Sequence, residues 1–328
     1  MDFSAFLILL SPDHYKQCHQ PSTRARNPPP RYRRDPECVS LDIMNMASSH
    51  PVSDLHAEAL EALRLTDPEA KAVAAIALHD AAVATLAAGE ALSRGEAAAV
   101  VAVPDPGRPA RPELVPPKAL ARRGVGTPEG RRVLAHALAH IEFNAINIAL
   151  DAVYRFRDLP DAFYRDWLQV AAEEGAHFRL LRDALRERGA DYGDYPAHDG
   201  LWQTVCATDH DPLVRMALVP RVLEARGLDV TPGIQAKLEK AGDSELVAIL
   251  DVIQRDEIGH VAIGTHWFRH LCEQRGLEPR ATFRELLGEY MAGRIHGPYD
   301  EQARTAAGFT PEELADLKAL EADTLARL

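Results

Sequence analysis

Glu174-Gly175-Ala176-His177 and Glu257-Ile258-Gly259-His260 share the spacing Glu-x-x-His. On an α-helix, residues three apart lie on one face, so each segment can turn a carboxylate and an imidazole toward one metal ion. The spacing alone is a weak signal, since a chain with 14 histidines and this glutamate content gives about one such match by chance. The faces carry more. Glu174 shares a helical stripe with Val170, Ala171, Phe178 and Leu181, and Glu257 with Leu250, Ile253, Val261 and Gly264. A carboxylate on an apolar stripe faces a dry interior, where an unpaired charge is costly. Glu142 lies in the same way among Leu138, Ala145, Ile146 and Ala149, and Glu224 with Ala217, Gly227 and Leu228. Glu142 precedes Glu174 by 32 residues and Glu224 precedes Glu257 by 33. Each interval is the length of a helix, a turn and part of a returning helix. Antiparallel packing would bring all six groups to one level, where four carboxylate charges balance two divalent ions. Imidazole and carboxylate ligands with open positions suit iron or manganese.

The elements that must position these groups read as helices. From Ser53 onward Ala, Leu, Glu and Arg dominate and β-branched alternation is absent. Thr127-Pro128, Asp211-Pro212, Thr231-Pro232 and Thr310-Pro311 each put a capping side chain before a proline at the first helical position. Thr310 with Glu313, and Thr282 with Glu285, have capping-box spacing. Gly189, Gly227 and Gly276 read as stops. The pattern predicts helices near 53–64, 68–92, 128–157, 161–188, 212–226, 232–241, 244–275, 280–293 and 311–327. Six prolines in 104–117 make an extended strap that ties the N-terminal helical pair to the main body. The loop 190–210 is long for a helix connection. Pro220 falls inside the helix that carries Glu224, where it frees the Met216 carbonyl and either fits a bundle kink, or re-aims the glutamate or opens a substrate channel.

Composition narrows the function classes. The chain has 328 residues, 46% hydrophobic and 26% charged, with a net charge of −12. So acidic a surface argues against broad nucleic-acid binding, which rests on clustered Lys and Arg. Four cysteines without a CxxC pair give neither a disulfide framework nor a thiolate zinc site. The apolar run Ala5–Leu10 is too short for a membrane span and lacks signal-peptide flanks, so the expectation is a cytoplasmic protein with no membrane association. Residues 1–50, with Pro28-Pro29-Pro30, Arg31, Arg33 and Arg34 and the cysteines Cys18 and Cys38, read as a disordered or mis-annotated extension. Met44 or Met46 is then the expected start. The remainder divides into a helical pair and strap (51–126), a metal-binding bundle (127–276) and a C-terminal helical extension (277–328).

His140-Ile141-Glu142, Asp166-Trp167-Leu168, Pro196–Trp202, Leu223–Asp229 and Asp256–His260 together resemble an uncharacterised bacterial family of ferritin-like di-metal carboxylate proteins, from about residue 55 to 310. More distantly the chain is similar to the tRNA hydroxylase that modifies a methylthio-isopentenyladenosine, and to the small subunit of ribonucleotide reductase. Such bundles bind two metals with one Glu from each of two helices and Glu-x-x-His from each of the other two. The resemblance implies an all-α fold, a ferritin-like four-helix bundle with additional N- and C-terminal helices. It implies as metal ligands Glu142, Glu174, His177, Glu224, Glu257 and His260. In multicomponent monooxygenases Asp often precedes the motif and Arg precedes its His. Asp256 matches the first feature and Glu173 in part, which makes both candidates for orienting a ligand imidazole. Ala176 and Gly259 replace the Arg, and with Gly175 they are expected to leave space beside the metals.

The reading that follows is an oxidoreductase using two metal ions, iron or else manganese, that activates O2. It would oxidise a small-molecule or modified-nucleotide substrate with electrons from an external donor, as a monomer or dimer. Ferritin-type metal storage is the second reading, and a tRNA-associated or scaffold module with a structural metal is the third. His198, Trp202 and Arg226 are candidates for the substrate pocket, although a structural hydrogen bond is the plainer reading of His198. His136 with His140, and His266 with His270, are four apart but off the ligand stripes, which favours packing over zinc. Tyr154, Tyr164 and Tyr192 are radical candidates by analogy alone. Arg221, Arg226 and Arg304 read first as structural ion pairs and second as holders of an anionic substrate. No catalytic residue is assigned.

Overall fold

The computed structural model describes residues 52–95, 99–121, 123–291 and 294–327, with side chains up to 322. The expected extension over 1–50, with Cys18, Cys38, Met44 and Met46, lies outside the described residues.

Local capping sets most helix starts. Asp54 and Asp67 accept backbone N–H groups at the heads of α1 (Leu55–Arg64) and α2 (Pro68–Ala87). Thr127 does the same for α3 (Pro128–Arg155), which a short turn joins to α4 (Asp161–Glu187). Gly189, at φ +74°, lies just beyond the end of α4. Then follow α5 (Gly200–Ala207) and α6 (Pro212–Leu218), the latter capped by Asp211. A π-helical segment, Val219–Glu224, passes directly into α7 (Ala225–Lys240). Asp243 caps α8 (Ser244–Gln274), and α9 (Pro279–Tyr290), α10 (Glu301–Ala306) and α11 (Pro311–Arg327) complete the chain. Among the described residues there is no strand, and the protein is all-α.

Four rods surround the interior: α3, α4, the composite rod from α6 to α7, and α8. The last runs antiparallel to α4, because Asp166 meets Trp267, Glu173 meets His260 and His177 meets Asp256, in opposite chain order. At the other side α1 packs on α3 and α2 on α4. Gly175 lets α2 approach closely, since a Cβ there would sit 3.1 Å from the Ala72 carbonyl oxygen. The proline strap crosses this pair. Gly107 donates its N–H to Leu63, Lys71 donates to the carbonyls of Leu63 and Gly107, and Glu113 and Val115 pair with Ala197 of the long loop. Among the described residues two helices, α2 and α3, are long and apolar enough to cross a membrane; 83% of the apolar stretch of α3 is buried within the bundle, and 44% of that of α2.

Four sequence expectations need correction. Thr231-Pro232 begins no helix, nor does Gly227 end one: α7 runs through both, with Pro232 inside it. The carbonyl that Pro232 leaves free, that of Leu228, accepts a hydrogen bond from Gln254 of α8 at 3.2 Å. Thr282 and Glu285 form no capping box, because Glu278 caps α9 one turn earlier. The loop 190–210 is not all loop, since it contains α5. The capping box of Thr310 and Glu313 is present, with both reciprocal bonds.

Pro220 lies within the π segment. Without an N–H it cannot bond Met216, and the backbone re-registers into the wider turn. Its ring packs on α8 at Gly264, where a Cβ would come within 2.2 Å of Pro220 Cγ.

Candidate metal centre

Glu142 of α3, Glu174 and His177 of α4, and Glu257 of α8 each offer a buried ligand atom, and these atoms lie within 4.8 Å of one another. His260 joins them, its Nδ1 3.1 Å from Glu174 Oε1 and 3.7 Å from Glu257 Oε2. Glu174 therefore stands between the two imidazoles, since its Oε2 is 3.5 Å from His177 Nδ1. Glu142 Oε2 is also 3.5 Å from that nitrogen. The imidazole centroids are 5.9 Å apart. Glu224 is not within this group; it reaches the same interior across a cavity of about 50 Å³ that it lines with Glu142 and Glu257. Apart from Thr231 the other walls are apolar, among them Leu138, Ile141, Ala145, Leu223 and Ile253.

The donor set fits cations. Glu142 Oε2, both oxygens of Glu174, His177 Nδ1, both oxygens of Glu224, Glu257 Oε2 and His260 Nδ1 are buried without a hydrogen-bond partner. Buried polar atoms of folded proteins are nearly always partnered. Eight orphans, drawn from these six residues and turned toward one interior, form a cluster that could hold a positive ion.

Burial and the charge of Glu174 push Glu142 well above the usual carboxylate range. Burial with Glu257 and Glu174 does the same to Glu224, and burial with Glu174 raises Glu257. Glu174 is held low against its burial by the close approach of Glu142 and the two imidazoles. Burial alone would lower His177, but Glu142 and Glu174 overcome it and raise the imidazole to about 11. His260 is likewise raised against burial by Glu173, Glu174 and Glu257.

The outer nitrogens of both imidazoles are held by carboxylates, in a crossed arrangement. His177 Nε2 lies 3.1 Å from Asp256, the residue before the other Glu-x-x-His motif. His260 Nε2 lies 2.7 Å from Glu173, the residue before the first. Burial opposes ionisation of Asp256, yet Arg255 and His177 keep it below its ordinary range. Glu173 is kept low in the same way by His260 and Gln169. These bonds leave Nδ1 of each ring to face the interior. Arg255 and Gln169 are parts of the arrangement that sequence reasoning did not single out. Their only sequence signal is position, one residue before Asp256 and one turn before Glu173.

The other candidates lie elsewhere. His198, Trp202 and Arg226 do not line the cavity beside the glutamates. His198 Nδ1 accepts from the Gly200 N–H, and Trp202 donates to Pro104 of the strap, because the long loop packs against the strap. Arg226 donates to the carbonyls of Gly297 and Pro298. The small residues at 175, 176 and 259 open no space at the ligands, since Gly175 packs on α2 and Ala176 and Gly259 lie on the outer surface. His136 and His140 are buried packing groups that bind Gly193, Tyr192 and the His198 carbonyl; burial lowers them to about 4 and about 3. Tyr154 accepts from the Val101 N–H, Tyr164 donates to Phe156 and Tyr192 bonds His140.

Residues 64–315, which include all six candidate ligands, match the family described as "Protein of unknown function (DUF455)". A relative in Haemophilus influenzae, described as an uncharacterized protein, is 50% identical over 213 residues, covering 63% of this chain and 74% of the relative. No solved structure matches the chain. By the breadth of the family match and the identity to this relative, the chain is a member of the DUF455 family.

Proposed function

We propose that this chain is a ferritin-like di-metal carboxylate protein and an O2-dependent oxidoreductase. Glu142, Glu174 and His177 would hold one divalent ion, and His260, Glu257 and Glu224 the other, with Glu174 reaching both. The observation that carries this reading is the set of eight buried, unpartnered ligand atoms on these six residues. Imidazole and carboxylate donors favour iron, with manganese the alternative. Bound there, such a pair supplies two-electron redox chemistry toward dioxygen, with electrons from an external donor.

The chain's own residues prepare the site. Asp256 and Glu173 fix the ring orientation of His177 and His260. Ile141, Ala145 and Ile253 keep the adjoining cavity apolar, so that an organic group is favoured there over water. This cavity favours oxidation of an organic substrate over metal storage.

Protein purified without chelator, analysed for metals by mass spectrometry, tests the reading. The expected result is two transition-metal ions per chain, lost in Glu174→Ala. Metal-free protein after expression in iron- and manganese-replete medium overturns it, as does full metal content in Glu174→Ala.

A further inference from the structure

A second cavity, of about 30 Å³, lies on the other side of the π segment, bounded by that segment, α7, Met291, residues 294–299, α10 and α11. Leu223 lines both this cavity and the one beside the glutamates. Its walls hold three guanidinium groups buried to more than nine-tenths: Arg221, Arg226 and Arg304. A fourth, Arg294, stands at its partly exposed rim.

The buried partners do not satisfy these groups. Arg304 forms a two-pronged pair with Asp229, and Arg221 pairs with Glu313 while its guanidinium sits among Phe268, Phe283 and Phe309. Arg226 uses two donors on carbonyls and lies 3.6 Å from Asp229, which it shares with Arg304. Nε and Nη1 of Arg221, Nε of Arg226 and Nη1 of Arg304 remain buried without an acceptor. Three buried cations thus face two buried carboxylates, Asp229 and Glu313. Burial pushes Arg221 down to about 10. Burial, with neighbouring Arg304, lowers Arg226 against the opposing charge of Asp229. An uncompensated buried donor is costly, and an oxyanion removes that cost, since guanidinium matches carboxylate and phosphate geometry.

We propose that this cavity binds the oxyanion end, carboxylate or phosphate, of a small molecule. That the molecule is the substrate, with its apolar part passing Leu223 toward the glutamates, rests on the di-metal reading; the binding of the anion does not.

Isothermal titration calorimetry on the full chain, at fixed ionic strength, tests this with inorganic phosphate and with succinate. Protein as purified is compared with protein stripped of metal and dialysed. The expected result is saturable binding of one probe at one site per chain, equal in both preparations. Phosphate binding assigns a phosphoryl end and succinate binding a carboxylate end. Arg226→Gln removes an inward donor and Val222→Asp sets a carboxylate at the rim without touching the arginines. Each should weaken binding by roughly tenfold, about 1.4 kcal/mol, and Val222→Asp alone decides if Arg226→Gln fails to fold. No saturable binding of either probe overturns the proposal, as does binding that survives in folded variants. Binding that vanishes on metal removal overturns it too, because it places the anion on the metals.

Discussion

Asp256 Oδ2 lies 3.1 Å from Nε2 of His177, a residue 79 positions earlier in the chain. The pairing joins α8 to α4 across the bundle and fixes which ring nitrogen faces the glutamates. Asp256→Asn keeps the shape but removes the charge that favours an N–H on the outer nitrogen. Metal affinity should fall by roughly 10- to 100-fold, the usual cost of losing such a partner. Competition against a chromophoric chelator measures it, and circular dichroism should show unchanged helix content. Glu173→Gln should give a loss of the same order through His260.

Acidity should govern what metal adds to stability. Glu142, Glu224 and Glu257 have raised values in the folded, metal-free chain. Stability from a raised group is present below its unfolded value, near 4.5, and is lost as pH rises toward the folded one. His177 follows the same sign between 6.5 and about 11. The metal-free chain therefore loses stability as pH rises, while bound cations keep the carboxylates ionised without that loss. The rise in Tm on adding Mn²⁺ to stripped protein should be larger at pH 8 than at pH 5.5. Calorimetric scans at both pH values check this, and a rise of equal or smaller size at pH 8 contradicts it.

Gly264 faces the Pro220 ring with no room for a methyl group. Gly264→Ala should destabilise the fold by about 1–3 kcal/mol, as overpacking does. Pro220→Ala shortens the opposing ring and should recover much of that loss. A urea-denaturation double-mutant cycle should show this coupling, and additive effects would mean that the two residues are not in contact.

Gln254 supports a proline from another helix. Gln254→Leu leaves the buried Leu228 carbonyl unpartnered and should cost about 1–3 kcal/mol. Pro232→Ala restores a backbone N–H to that carbonyl. The double variant should therefore be more stable than Gln254→Leu alone, as chemical denaturation can measure.

What the sequence revealed and what it hid differ in range. Thr127, Asp211, Gly189 and Gly276 act within one turn of themselves, so the helix ends they mark are legible. Thr231-Pro232 has the same local grammar as those starts. It fails as a signal because the bond that lets α7 continue comes from Gln254, on another helix. The candidate ligands stand out because a glutamate on an apolar stripe is costly to bury unpartnered, a condition readable from periodicity. Glu173 and Asp256 are adjacent to the motifs, but that each serves the other motif's histidine depends on α4 and α8 running antiparallel. His198 and Trp202 lie in a loop that looks free in sequence but is held by the strap, whose place no local pattern gives. The arginine cavity brings Arg221 and Arg226 to Arg304, some 80 residues later, which no spacing rule anticipates.

The crossed carboxylates make the two halves of the repeated motif interdependent. Cut in the loop after α4, the protein would yield one fragment whose histidine lacks Asp256 and another whose histidine lacks Glu173. Each piece keeps three candidate ligands but loses the carboxylate that orients its imidazole. Recovery of high-affinity loading from separated pieces would be second order in fragment concentration, so the centre belongs to the assembled pair and to neither repeat alone.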